Sequence, residues 1–176
     1  MREYHDHVNG VAHRTKTRIR WYGARSGCIH APILEGKLKQ GHVSGKTGQG
    51  LPPLLMNGTV SRPHLEAAFD GANLPMLVRS ALRHLQPSLL NRYQRHYFQS
   101  ADRRFRLTVD SDLQFASARQ FQGAGVPLDP PVSLVVIELK FGLAEADGAA
   151  RITNASPFNL ARCSKYVLGI TGQAAR

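Results

Sequence analysis

The chain has 176 residues and a mass of 19.4 kDa, with 42% hydrophobic and 20% charged residues, which fits one folded domain over residues 1–176 and excludes a disordered or fibrous chain. No apolar run approaches the roughly 20 residues of a bilayer span, and the opening MREYHDHVNG has no apolar core, so neither a membrane helix nor a secretory leader is expected. Lys and Arg number 23 against 12 Asp and Glu, a net charge of +11 carried mostly by Arg, whose planar fork matches phosphate oxygens; the first expectation is a polyanionic partner.

Residues 14–22 (RTKTRIRWY) alternate cations with Thr, Ile and Trp, a period of two that predicts a strand. Residues 31–39 (APILEGKLK) predict another, with Leu34 and Leu38 on one face and Glu35, Lys37 and Lys39 on the other. Residues 41–50 are glycine-rich and read as a turn or mobile loop around a short strand holding Lys46. The SGKT of residues 44–47 resembles the end of a P-loop, but the glycine spacing before it is wrong.

Ser61 as N-cap, Pro63 just inside and Glu66 in the first turns predict a helix that Gly71 ends. A second helix is expected over residues 74–85, where Leu74, Leu77, Val78, Ala81, Leu82 and Leu85 form an apolar stripe read as core. Strands resume at residues 89–100, with Tyr93, Arg95 and Tyr97 on one face, and at 103–110, with Arg104, Arg106, Thr108 and Asp110 opposite Phe105, Leu107 and Val109. Residues 114–121 suggest a further strand, 126–131 a Pro-containing turn, and 132–141 (VSLVVIELKF) the most β-rich run. Ser156-Pro157 reads as a helix start.

Cys28 and Cys163 are too few for a disulfide framework and lack zinc spacing, so they read as ordinary thiols. The eight histidines read as solvated or loop residues. Trp21 lies opposite the Arg face and reads as packing beneath a helix.

Any one charged strand is explained by a solvated face. Together they are unusual: residues 79–106 hold seven Arg and one acid, Asp102. Rows of like charge on neighbouring strands repel, a cost most easily accepted when an anion sits between them. Glu35 and Glu138 interrupt the rows, each two residues before a lysine and therefore on its face. Such a carboxylate either holds a hard divalent cation against phosphate or neutralises its neighbours, and the pattern leaves both open.

RIRWYG at residues 18–23, LEGKLK at 34–39, YQRHYFQS at 93–100, FRLTVDSDL at 105–113, VIELKF at 136–141 and CSKYVLGI at 163–170 follow in an order that resembles the VTC domain. This is the polyphosphate polymerase domain of the triphosphate tunnel metalloenzyme, or CYTH-like, superfamily. The resemblance implies an α+β fold in which an antiparallel β-barrel forms a tunnel with helices packed outside. It implies transfer of the ATP γ-phosphate to a growing polyphosphate chain, with Mn²⁺ or Mg²⁺. By position, Arg18, Arg20, Lys37, Arg95, Arg106 and Lys165 match the catalytic cations. Lys16, Lys46, Tyr93, Lys140, Arg162 and Ser164 are the further phosphate- or nucleotide-binding candidates, and Glu138 matches the metal-binding glutamate. ATP and polyphosphate are the expected partners, nucleic acid is not, and the family's link to membrane assemblies points to the cytoplasm with a membrane-protein partner.

Two departures from the family pattern carry expectations. Its opening basic strand, helix and Y-F-D-T-like strand do not precede Tyr4, so an incomplete barrel is expected, and with it a non-catalytic polyanion-binding module as the alternative. A tunnel triphosphatase is a third reading. Gly36 replaces a β-branched or apolar residue and is expected to weaken its strand.

Overall fold

The computed structural model describes residues 13–40, 43–57, 62–117 and 128–172. The chain packs as two compact units: Met1–Ser88 with Ser117–Pro127, and Leu89–Ala116 with Leu128–Arg176.

The first unit carries five described strands, β1 (His13–Arg20), β2 (Gly27–Ile29), β3 (Ile33–Gln40), β4 (Val43–Gly50) and β5 (Leu54–Met56), and the helices α1 (Arg62–Asp70) and α2 (Met76–Leu82). β1, β3 and β4 form an antiparallel sheet in that order, and β2 pairs with β5 in a second. Alternation divides the larger sheet into two faces. Ile19 and Leu34, opposite each other in register, point to one side and join apolar clusters with Leu65, Ala68 and Phe69 of α1 and Leu82 of α2. Arg18, Arg20 and Glu35 point to the other side. Trp21 packs half-buried against the cluster that holds Leu65 and Ala68 of α1, as expected of a residue opposite the arginines.

Two expectations are corrected here. The glycine-rich segment is no loop around a short strand: β4 runs unbroken from Val43 to Gly50, paired along its length with β3. Pairing with a strand that already has a partner on its far side overrides glycine's weak strand propensity. This also places SGKT on a strand, outside any P-loop context. Nor is the stripe of residues 74–85 core. Helix α2 is only seven residues long, and Leu74 and Leu82 are buried while Met76 and Leu77 are more than 80% exposed. Pro75 stands at its N-cap, so Leu74 reaches the core from the preceding loop rather than from the helix.

The second unit holds β6 (Leu89–Gln99), β7 (Phe105–Ser117) and β8 (Val136–Phe141) as one sheet, with α3 (Ala146–Asn154) and α4 (Lys165–Thr171). A tight turn joins β6 to β7. Arg103 adopts a left-handed φ of 60° there, and Asp102 accepts from the Ser100 hydroxyl and from the backbone and side chain of Arg104. Those donors, Ser100 first, hold the Asp102 carboxyl down at about 2.

Residues 103–110 and 114–121, read as separate strands, lie largely on one: β7 is continuous through residue 117, beyond which the expected strand falls outside the described residues. Asp112, at a left-handed φ of 52°, marks the interruption that makes the pattern look like two. The β-rich run of residues 132–141 is shorter than expected. β8 begins at Val136, and Val132 makes only an isolated bridge to Leu113. No helix starts at Ser156-Pro157; α3 ends just before it and α4 begins at Lys165.

Antiparallel strands with packed helices make the fold α+β, as the sequence predicts. Among the described residues the strands lie in three separate sheets, none closed into a barrel. No described helix is long and apolar enough to cross a membrane. Both cysteines are free and exposed.

Candidate functional site

In the first unit, register sets the cations in rows. Lys16 stands opposite Lys37, and Lys37 opposite Lys46, so three lysines cross β1, β3 and β4 in line. The next row holds Arg18, Glu35 and Gly48. Opposed residues of antiparallel strands share a face, so the predicted cations do lie on one side of the sheet.

Glu35 is the hub of that face. Its carboxylate is 5% exposed and is met by Arg18 at 2.5 Å, Lys46 at 3.0 Å and Arg20 at 3.1 Å. Burial alone raises its pKa; the Lys46 and Arg18 donors, with the charges of Arg18 and Arg20, outweigh that and hold it below the ordinary value. Of the two readings left open for Glu35, neutralising its neighbours is what the geometry provides: three cations to one carboxylate, with positive charge left over. Lys37 makes no ion pair among the described residues.

An open cleft of about 470 Å³ lies over this hub, lined by Arg20, Glu35, Lys46, Thr47, Gly48 and Gly50. Arg20 also stacks on Tyr22, 4.9 Å from the ring centre, and its buried Nε has no partner among the described residues. Gly36 does not break its strand. A Cβ there would come within 2.9 Å of the Thr47 hydroxyl, so the missing side chain is the space that Thr47 fills.

In the second unit one face of the sheet gathers Tyr93 and Arg95 from β6, Arg106, Thr108 and Asp110 from β7, and Glu138 and Lys140 from β8. Register places Arg106 opposite Lys140, Thr108 opposite Glu138 and Asp110 opposite Val136. Asp110, 1% exposed, accepts a two-pronged bond from Arg95, Nε at 2.5 Å and a terminal nitrogen at 2.6 Å, and a close ion pair from Lys165 of α4. Arg95 and Lys165 sit 5.1 and 5.0 Å from the centre of the Tyr93 ring. Burial raises the Asp110 pKa, but the Arg95 and Lys165 donors prevail and lower it; Asp110 in turn raises that of Arg95.

Glu138 is half-exposed, with one oxygen 3.3 Å from Lys140. The Thr108 hydroxyl opposite it is buried without a partner among the described residues. No group of three metal-ligating side chains is found among the described residues. A single accessible carboxylate is nonetheless the donor set that suits Mg²⁺ or Mn²⁺ when phosphates and water supply the remaining ligands, so Glu138 fits that group. Arg106 is exposed and makes no ion pair among the described residues. Arg162 is likewise exposed, in the segment before α4. Ser164 stands at the N-cap of α4.

Asp110 and Thr108 belong to this cluster although the sequence pattern does not single them out as site residues. Their place on the Arg106 face was legible from period two. Their burial was not, nor was the reach of Lys165 from a helix far along the chain.

The VTC domain family model matches residues 1–172. The chain belongs to the VTC domain family. That membership is consistent with a polyphosphate polymerase-related function and suggests an enzyme of the phosphotransferase type. No curated protein sequence matches the chain.

Proposed function

We propose that this VTC domain is an ATP-dependent polyphosphate polymerase, with the tunnel barrel that the family resemblance implies. The terminal oxygen of a polyphosphate chain attacks the γ-phosphorus of ATP, the bond from that phosphorus to the β,γ-bridging oxygen breaks, and ADP leaves with that oxygen. What supports the reading is the gathering of the nominated cations on sheet faces, around buried acids that leave each cluster with positive charge in excess.

Phosphoryl transfer needs mainly positioning and charge stabilisation. Arg18, Arg20, Lys37 and Lys46, with Lys16 beside them, hold phosphates on the first unit's face. Arg95, Arg106 and Lys165 do so on the second, helped by Tyr93, Lys140, Arg162 and Ser164. Guanidinium forks orient phosphate oxygens, and lysines act as point charges. Glu138 would hold Mn²⁺ or Mg²⁺, which when bound neutralises charge on the phosphate oxygens. The same reading puts the protein in the cytoplasm, where ATP is supplied, with a membrane protein taking up the product.

Incubation with ATP and Mn²⁺ or Mg²⁺ tests the proposal. Acid-insoluble chains and ADP are expected. Free phosphate in their place would make the protein a tunnel triphosphatase, and polyphosphate binding without turnover would make it a polyanion-binding module. Arg18→Ala combined with Arg106→Ala is expected to weaken tripolyphosphate binding; unchanged binding would sink the role of these faces.

A further inference from the structure

We infer that Asp110 is a positioning residue: its buried carboxylate holds the Arg95 guanidinium and the Lys165 ammonium at a set spacing about the Tyr93 ring, so that both present their remaining donors to phosphate. The inference rests on the reading of Arg95 and Lys165 as phosphate ligands.

Three features carry it. Asp110 is the most buried acid described, at 1% exposure, whereas Arg95 and Lys165 keep 22% and 17%. A phosphate therefore reaches the cations and not the acid. Next, Asp110 engages only part of each cation. The two-pronged bond uses two of the roughly five guanidinium N–H donors, and the ion pair leaves further ammonium donors over. Finally, the two cations come from a strand and from a helix, crowd one aromatic ring and repel each other. Only Asp110 is ion-paired to both among the described residues. Without it, two long side chains lose the contact that orders them, and phosphate binding must supply that ordering itself.

A plain neutraliser makes the opposite prediction. If Asp110 only offset charge, removing it would add one positive charge and tighten phosphate binding. If it positions, the same change loosens binding despite the added charge. Asp110→Asn in the full chain decides between them, with tripolyphosphate as the probe. The expected result is a loss of about tenfold or more in affinity. For long-chain polyphosphate, the dependence of affinity on salt should become shallower by about one to two ions, as the two contacts are lost. Equal or tighter binding overturns the inference.

A merely structural role is separated by a second background. In Arg95→Ala with Lys165→Ala, adding Asp110→Asn should change affinity by less than about twofold, since no cation remains for it to position. A further large loss there overturns the inference. Should Asp110→Asn fail to fold, Asp110→Glu takes its place. It keeps the charge and moves it by one methylene; weakened binding is expected, and wild-type affinity overturns the inference. The single changes Arg95→Ala and Lys165→Ala are the controls. If both bind as wild type, the reading of these cations as ligands falls and the inference with it. If both weaken while Asp110→Asn does not, the inference alone falls.

Discussion

Glu35 and Asp110 are buried acids held ionised by cations, and each links folding to pH. Both have folded-state pKa values below their ordinary ones. The unfolded chain therefore binds their protons at a higher pH than the folded chain does, so their stabilisation is full above about pH 4–5 and is lost as pH falls through the lowered values. Thermal unfolding from pH 7 to pH 3 should show a midpoint falling below about pH 4.5, and Glu35→Gln should flatten part of that fall. A midpoint independent of pH would contradict the clusters. At pH 7, Glu35→Gln leaves three cations without their carboxylate. With Arg18 and Lys46 near 60% exposed, solvent screens much of the cost, and a loss of about 1–2 kcal/mol in urea unfolding is expected. Thr108 points the other way. A buried hydroxyl without a partner costs about 1–3 kcal/mol, so Thr108→Val should raise the stability of the ligand-free protein. A lower melting temperature would mean that the hydroxyl is satisfied after all.

At the scale of elements, helix α4 delivers Lys165 and Gly169 from one face, four residues apart. A Cβ on Gly169 would lie 2.5 Å from Phe115 and 2.6 Å from Leu89, so this glycine lets the helix settle on the sheet. Gly169→Val should push α4 away, cost about 1–3 kcal/mol of stability and weaken tripolyphosphate binding together, because Lys165 moves with the helix. Isothermal titration beside a melting curve checks both; full affinity in a destabilised variant would separate the helix seat from the lysine. Gly36 is the corresponding point in the first unit. Gly36→Val should destabilise β3 against β4 through the Thr47 contact, whereas Gly36→Val with Thr47→Gly should recover part of the loss.

For the molecule as a whole, a net charge of +11 predicts an affinity for long polyphosphate that falls linearly with salt on a double-logarithmic plot, through release of counterions. The charge by itself does not choose the polyanion. On the polyphosphate reading the choice rests with clustered forks such as Arg18 and Arg20 around Glu35, whose planar donors match closely spaced phosphate oxygens. At about 0.15 M salt, long-chain polyphosphate should displace duplex DNA of equal phosphate content. The reverse order in a competition assay would contradict the polyphosphate reading.

The family, the α+β class and the strand side on which Arg18, Arg20, Lys37, Arg95, Arg106 and Glu138 stand were all legible in the sequence. Motif order and a side-chain period of two are local properties, readable without knowing what pairs with what. It misjudged β4, because glycine's weak propensity is a local property and pairing to β3 is not. It misjudged the stripe of α2, because a helical period shows which residues share a face and not whether anything covers that face. That Glu35 lies buried beneath three cations, and that Asp110 joins β6 to α4, follows from the fold and from no local pattern. Burial and ion pairing depend on register between strands and on how a helix seats against a sheet, and residues far apart in the chain set both.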